Sequence, residues 1–95
     1  MTHYVLLKFK PDTDLDVVEA RIRQTYNELN QALDFLTNPI VYRCCVERDS
    51  NADIMTIVQL DSPEHLQIYL THPLHAQIAQ DFKDAVTERT SFDHK

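Results

Sequence analysis
The spacing between apolar residues switches along this chain between two and three-to-four, and the order of those switches limits the fold more than any single motif does. In the segment THYVLLKFK, residues 2–10, His3, Val5, Leu7 and Phe9 fall on one alternation, and Tyr4, Leu6, Lys8 and Lys10 on the other. That is a strand buried on one side and half-buried on the second, and Pro11 ends it. From Asp14 the period lengthens: Leu15, Val18, Ile22, Tyr26, Leu29, Leu33 and Leu36 follow at intervals of three or four, with Glu19, Arg23 and Glu28 off the stripe. The spacing predicts a long amphipathic helix capped by Asp14 or Thr13. After the turn TNP, extended character returns in IVYRCCVE; RDSNAD turns the chain, and IMTIVQL is a second β-rich run, so the pair reads as an antiparallel hairpin.

Helical signals then resume. Ser62 as cap and Pro63 at the first helical position open SPEHLQIYL. Proline pushes the residue before it away from helical angles, so His72 ends this short helix and Pro73 starts another, with Leu74, Ile78, Phe82 and Val86 on one face. TERTSFDH closes the chain as a strand. The order is β, long α, β, β, split α, β, the split βαβ pattern of an α+β, ferredoxin-like domain: one four-stranded antiparallel sheet with helices over one face. Residues 1–95 form a single domain of this kind. The strands are apolar on both sides, and the chain has nothing left to cover the second face. A homodimer, with two sheets packed or joined into an α/β barrel, is the expected remedy.

Charge and composition exclude several classes of function. With 9 Lys and Arg against 15 Asp and Glu, the net charge of -6 opposes binding to nucleic acid or an anionic membrane surface. No run approaches the about 20 apolar residues of a membrane span, and the start of the chain lacks the features of a signal peptide, so a cytoplasmic location is expected. Cys44 and Cys45 are adjacent in a segment read as extended, where neighbours point to opposite faces, so buried, reduced thiols are expected rather than a disulfide. There is no glycine, which excludes phosphate-cradling loops and leaves Asn38, Asp49 and Asn51 as the residues for positive φ. No flavin, nucleotide or other cofactor signature is present, and no covalent nucleophile stands out.

The stretch YLTHPLH, Tyr69 to His75, concentrates the chemistry. With Pro73 first in its helix, His75 lies in the first turn, where the helix dipole disfavours the imidazolium. A neutral imidazole can take a proton from a carbon next to a carbonyl, and the phenol of Tyr69 can donate to the enolate that forms. The competing reading makes the same block a corner, with His72 capping the second helix, His75 bonded to a backbone carbonyl and Tyr69 buried for its ring. A metal site from His65, His72, His75 and Asp81 is disfavoured, because two histidines flanking a proline bend point in different directions. His94 carries no signal.

The opening HYVLLKFKPD, the block SPEHLQIYLTHPLH and the closing SFD, in this order and spacing, resemble the stress-responsive A/B barrel (Dabb) family of dimeric ferredoxin-like proteins over nearly the whole chain. Most of that family has no established activity. One plant branch, olivetolic acid cyclase, folds a linear polyketide thioester by aldol condensation. By resemblance its catalytic tyrosine and histidine fall on Tyr69 and His75, and its first-strand histidine falls on His3; the place of its third-strand histidine is taken by Ile54. The resemblance thus implies a mainly apolar pocket between sheet and helices, with Tyr69 and His75 as catalytic candidates and His3 and His72 as ligand-binding ones. It would serve either cofactor-independent aldol or lyase chemistry on a small carbonyl compound, or the binding of a small apolar ligand without chemistry. The absence of Trp argues against the haem-degrading and monooxygenase relatives of the same dimeric fold.

Overall fold
A computed structural model describes all residues, 1–95. The strand β1 (Thr2–Phe9) is followed by the helix α1 (Leu15–Ala32), strands β2 (Leu36–Arg43) and β3 (Ile54–Leu60), helices α2 (His65–Thr71) and α3 (Pro73–Phe82), and strand β4 (Val86–His94). The sheet runs β2-β3-β1-β4 with every pair antiparallel. This is the ferredoxin-like arrangement expected from the order of hydrophobic periods.

Helix α1 starts where a carboxylate can take up its free amides: Asp14 Oδ1 accepts from Asp16 N–H at 3.1 Å and from Val17 N–H at 3.3 Å. Its stripe of Val18, Ile22, Tyr26 and Leu29 is buried against the sheet, where it shares a core with Phe9, Ile54 and Val58. The helix is shorter than its stripe suggests. It stops at Ala32, and Leu36 is buried as the first residue of β2 instead. The same happens at α3, which ends at Phe82, so Val86 enters β4. In both places a strand's inward residue continues the helical spacing by chance, and periodicity alone cannot separate the two.

Three local expectations change. TNP is not a turn before β2 but a bulge inside it: the register slips by one residue between Thr37 and Ile40. Asn38 adopts φ 51°, the sole positive value in the chain, so Asp49 and Asn51 turn without it. The bulge admits Pro39 to an edge strand, whose outer side needs no ladder N–H. Ser62 and Pro63 form a turn ahead of α2, which begins at His65. Cys44 and Cys45 are exposed free thiols, because β2 ends at Arg43 and leaves both in the following loop.

The two sheet faces differ sharply. Toward the helices lie His3, Val5, Ile54, Thr56 and Val58, all buried. Away from them, Tyr42 is 55 % exposed and Phe92 61 %, with Ile40 beside Ile57, and Ile57 beside Tyr4, in the strand pairing. No helix is long and apolar enough to cross a membrane.

Candidate functional site
The bend at His72 is built from the constraints of Pro73. His72 takes the extended angles φ -60° and ψ 139° that the following proline demands, which ends α2 and starts α3. Its Nδ1 accepts the Leu74 N–H at 3.1 Å, so the ring serves as the cap of α3. One turn on, His75 Nδ1 donates to the Leu70 carbonyl at 3.0 Å, an acceptor left open where α2 stops. That bond fixes the tautomer. The proton sits on Nδ1, and Nε2 keeps its lone pair, with no protein partner and without being fully occluded.

His75 lines a cavity of about 270 Å³ between the sheet and helices α1 and α3. Its walls are mostly apolar, with Val5 and Leu7 from the sheet, Ile22 from α1 and Ile78 and Phe82 from α3. The other polar groups on it are Tyr26, Thr56, Lys83 and Arg89. Burial holds the His75 imidazole below its ordinary value, opposed by the Leu70 bond and aided by the charge of Arg89 and by His3. The ring is therefore neutral near pH 7, as its place in the first turn of α3 suggests.

Tyr69 sits one layer behind. It is 0 % exposed and does not reach the cavity wall. Its hydroxyl lies 2.6 Å from that of Tyr26, which does line the cavity, and its ring meets the His75 ring edge-on at 4.8 Å between centroids. Burial, with Tyr26 adding to it, pushes the Tyr69 phenol well above its ordinary value, so it stays a proton donor. With the Tyr69 O–H donated to Tyr26, the Tyr26 O–H is free for Thr56 Oγ1, 3.4 Å away, or for a guest.

The remaining histidines have other partners. His3 is buried with its Nδ1 2.5 Å from Asp93 Oδ1, directly across the β1–β4 pairing. Its ring abuts Tyr69 at 5.8 Å, and its Nε2 is buried without a partner. It lies behind Tyr69 and not on the cavity wall, so of the four residues read from the sequence only His75 touches the cavity. His65 stacks on Phe35 at 4.1 Å and Asp81 pairs with Arg21. No three His, Cys, Asp or Glu residues are placed to hold a metal ion.

Sequence reasoning missed Tyr26, Thr56, Lys83 and Arg89. Tyr26 was visible as the single phenol in an otherwise aliphatic helical stripe, and Thr56 as the polar inward position of IMTIVQL. Arg89 gave no signal, because its partner across the sheet, Leu7, was not predictable without the register.

Fold and site together define a ferredoxin-like α+β domain with a mainly apolar cavity between its sheet and helices α1 and α3. The chain belongs to the stress responsive A/B barrel domain (Dabb) family, which it matches over residues 1–95. Among solved structures, a dimeric protein of unknown function and ferredoxin-like fold from Bacteroides fragilis is similar with a TM-score of 0.83 at 18% identity, covering 99% of this chain and 93% of that one. A Dabb family protein from Mesorhizobium loti has a TM-score of 0.72 at 16% identity, covering 99% and 93%. The hydroxynitrile lyase of Passiflora edulis has a TM-score of 0.77 at 12% identity, covering 98% and 89%. No curated protein matches the sequence.

Proposed function
We propose that the cavity carries out cofactor-independent proton transfer on a small carbonyl compound, of aldol or lyase type, with His75 as the base. The observation that carries this reading is the His75 Nε2: a neutral nitrogen with a free lone pair, held in place by the bond from Nδ1 to Leu70, at the wall of an apolar cavity beside the Tyr26 phenol. Nε2 takes the proton from the carbon next to the carbonyl; the C–H electron pair forms the C=C bond of the enolate as the carbonyl π pair moves onto its oxygen. The Tyr26 O–H donates to that oxygen while Tyr69, whose proton is held tightly by burial, donates in turn to Tyr26. Tyr69 is then a positioning residue whose effect reaches the guest through Tyr26. A hydroxynitrile lyase of the same fold indicates that this scaffold accommodates lyase chemistry.

The test is deuterium exchange at the acidic carbon of a panel of small ketones and thioesters, followed by NMR. His75→Ala should slow exchange on the order of 100-fold or more, and Tyr26→Phe should slow it less. Exchange unchanged in His75→Ala would refute the assignment. A second reading, a binding module without chemistry, is favoured by the full burial of the Tyr69 hydroxyl. It predicts thermal stabilisation by small apolar carbonyl compounds with no exchange in any of them.

We also propose a homodimer formed through the outer sheet face. Its support is the exposed Tyr42 and Phe92 and the dimeric description of the Bacteroides fragilis neighbour. Two exposed free thiols favour a reducing compartment, the cytoplasm.

A further inference from the structure
The cavity selects charge against the composition of the chain. Acidic residues outnumber basic ones 15 to 9, yet the cavity wall includes Lys83 and Arg89 and no Asp or Glu. Neither cation has an ion-pair partner, whereas Arg21, Arg23 and Arg43 are each bound to carboxylates. Lys83 closes α3, and Arg89 stands opposite Leu7 on β4, on the side of the sheet that faces the helices. Two unpartnered cations on separate elements thus flank one space lined by Ile22, Ile78 and Phe82.

From this juxtaposition we infer that the guest is an amphipathic carboxylate, its charged end at Arg89 and Lys83 and its apolar body between the sheet and α3. The inference rests on the cavity of the reading above and names the class of compound it takes. A guanidinium fork matches the two oxygens of a carboxylate, and an apolar wall beside it suits a hydrocarbon or aryl body. The space holds the volume of roughly nine waters, which sets a small guest.

Titration calorimetry of the full chain with octanoate and with its neutral analogue octanamide tests this. Octanoate should bind at least about tenfold more tightly, and the double variant Arg89→Gln, Lys83→Gln should bring the two within about twofold, chiefly by weakening octanoate. Both substituted side chains are exposed, and a thermal melt verifies the fold. Equal binding of the two compounds, a preference that survives the double substitution, or no binding of either overturns the inference. The same preference in His75→Ala separates the two claims. If exchange needs His75 and octanoate shows no preference, the carboxylate assignment falls and the proton-transfer reading stands; if the preference holds and exchange ignores His75, the reverse is true.

Discussion
The two faces of one sheet solve the same problem in different ways. On the inner face the alternating residues of β1 and β3 are covered by helices α1 and α3, and the packing leaves an apolar space with a few polar groups on its wall. On the outer face equally apolar residues, Tyr4, Ile40, Tyr42, Ile57 and Phe92, have no helix above them. A covered face can keep a cavity dry and hold a neutral imidazole. A bare one has to find its cover in another molecule. On the reading proposed above, the inner face serves stability and proton transfer, and the outer one assembly.

Substitutions on the two faces should separate those roles. The largest effect belongs to Leu29→Ala, which removes a fully buried side chain between α1 and the sheet and should cost about 2–5 kcal/mol in denaturant unfolding. A loss below about 1 kcal/mol would mean that the helix layer is loosely seated. Next, Ile57→Asp puts a charge at the middle of the outer face, paired with Tyr4 on one side and Ile40 on the other. It should raise the dimer dissociation constant by about 30-fold or more in sedimentation equilibrium while the monomer stays folded. If the variant associates as the parent does, the outer face is not the interface.

Smaller effects sharpen the contrast. The His75 imidazole is held below its ordinary value of 6.5, so between its folded and unfolded values the unfolded chain binds the extra proton. Stability conferred on the neutral ring is thus lost as pH falls below about 6.5, with a slope of at most about 1.4 kcal/mol per pH unit for one proton, and His75→Gln should remove that component. An unaltered pH profile in the variant would place the titration elsewhere. Last, Asp14→Ala removes the cap of α1 and should cost about 1 kcal/mol without altering assembly.

What the sequence made legible follows from how local each signal is. The cap at Asp14, the break at His72 and Pro73 and the order of strands and helices rest on neighbours within a few residues, and all are present in the structure. Helix ends were overrun at Leu36 and Val86, because inward residues of the next strand kept the spacing. The extended character of IVYRCCVE predicts buried cysteines, but pairing stops at Arg43 and leaves both exposed; burial depends on where pairing stops, which only the partner strand decides. His75 was found because the proline fixes its place in a helix. Tyr26 and Arg89 come to the cavity from elements far apart in sequence, joined by packing and register that no local pattern encodes.

The proposed proton transfer depends on the state of one ring. Nitrogen-15 NMR of the His75 imidazole, followed from about pH 8 to about pH 4, reads it directly. The prediction is a proton on Nδ1, an unprotonated Nε2, and titration below the value of an exposed histidine. A proton on Nε2, or a charged ring at neutral pH, would contradict it, since neither leaves a lone pair in the cavity to act as a base.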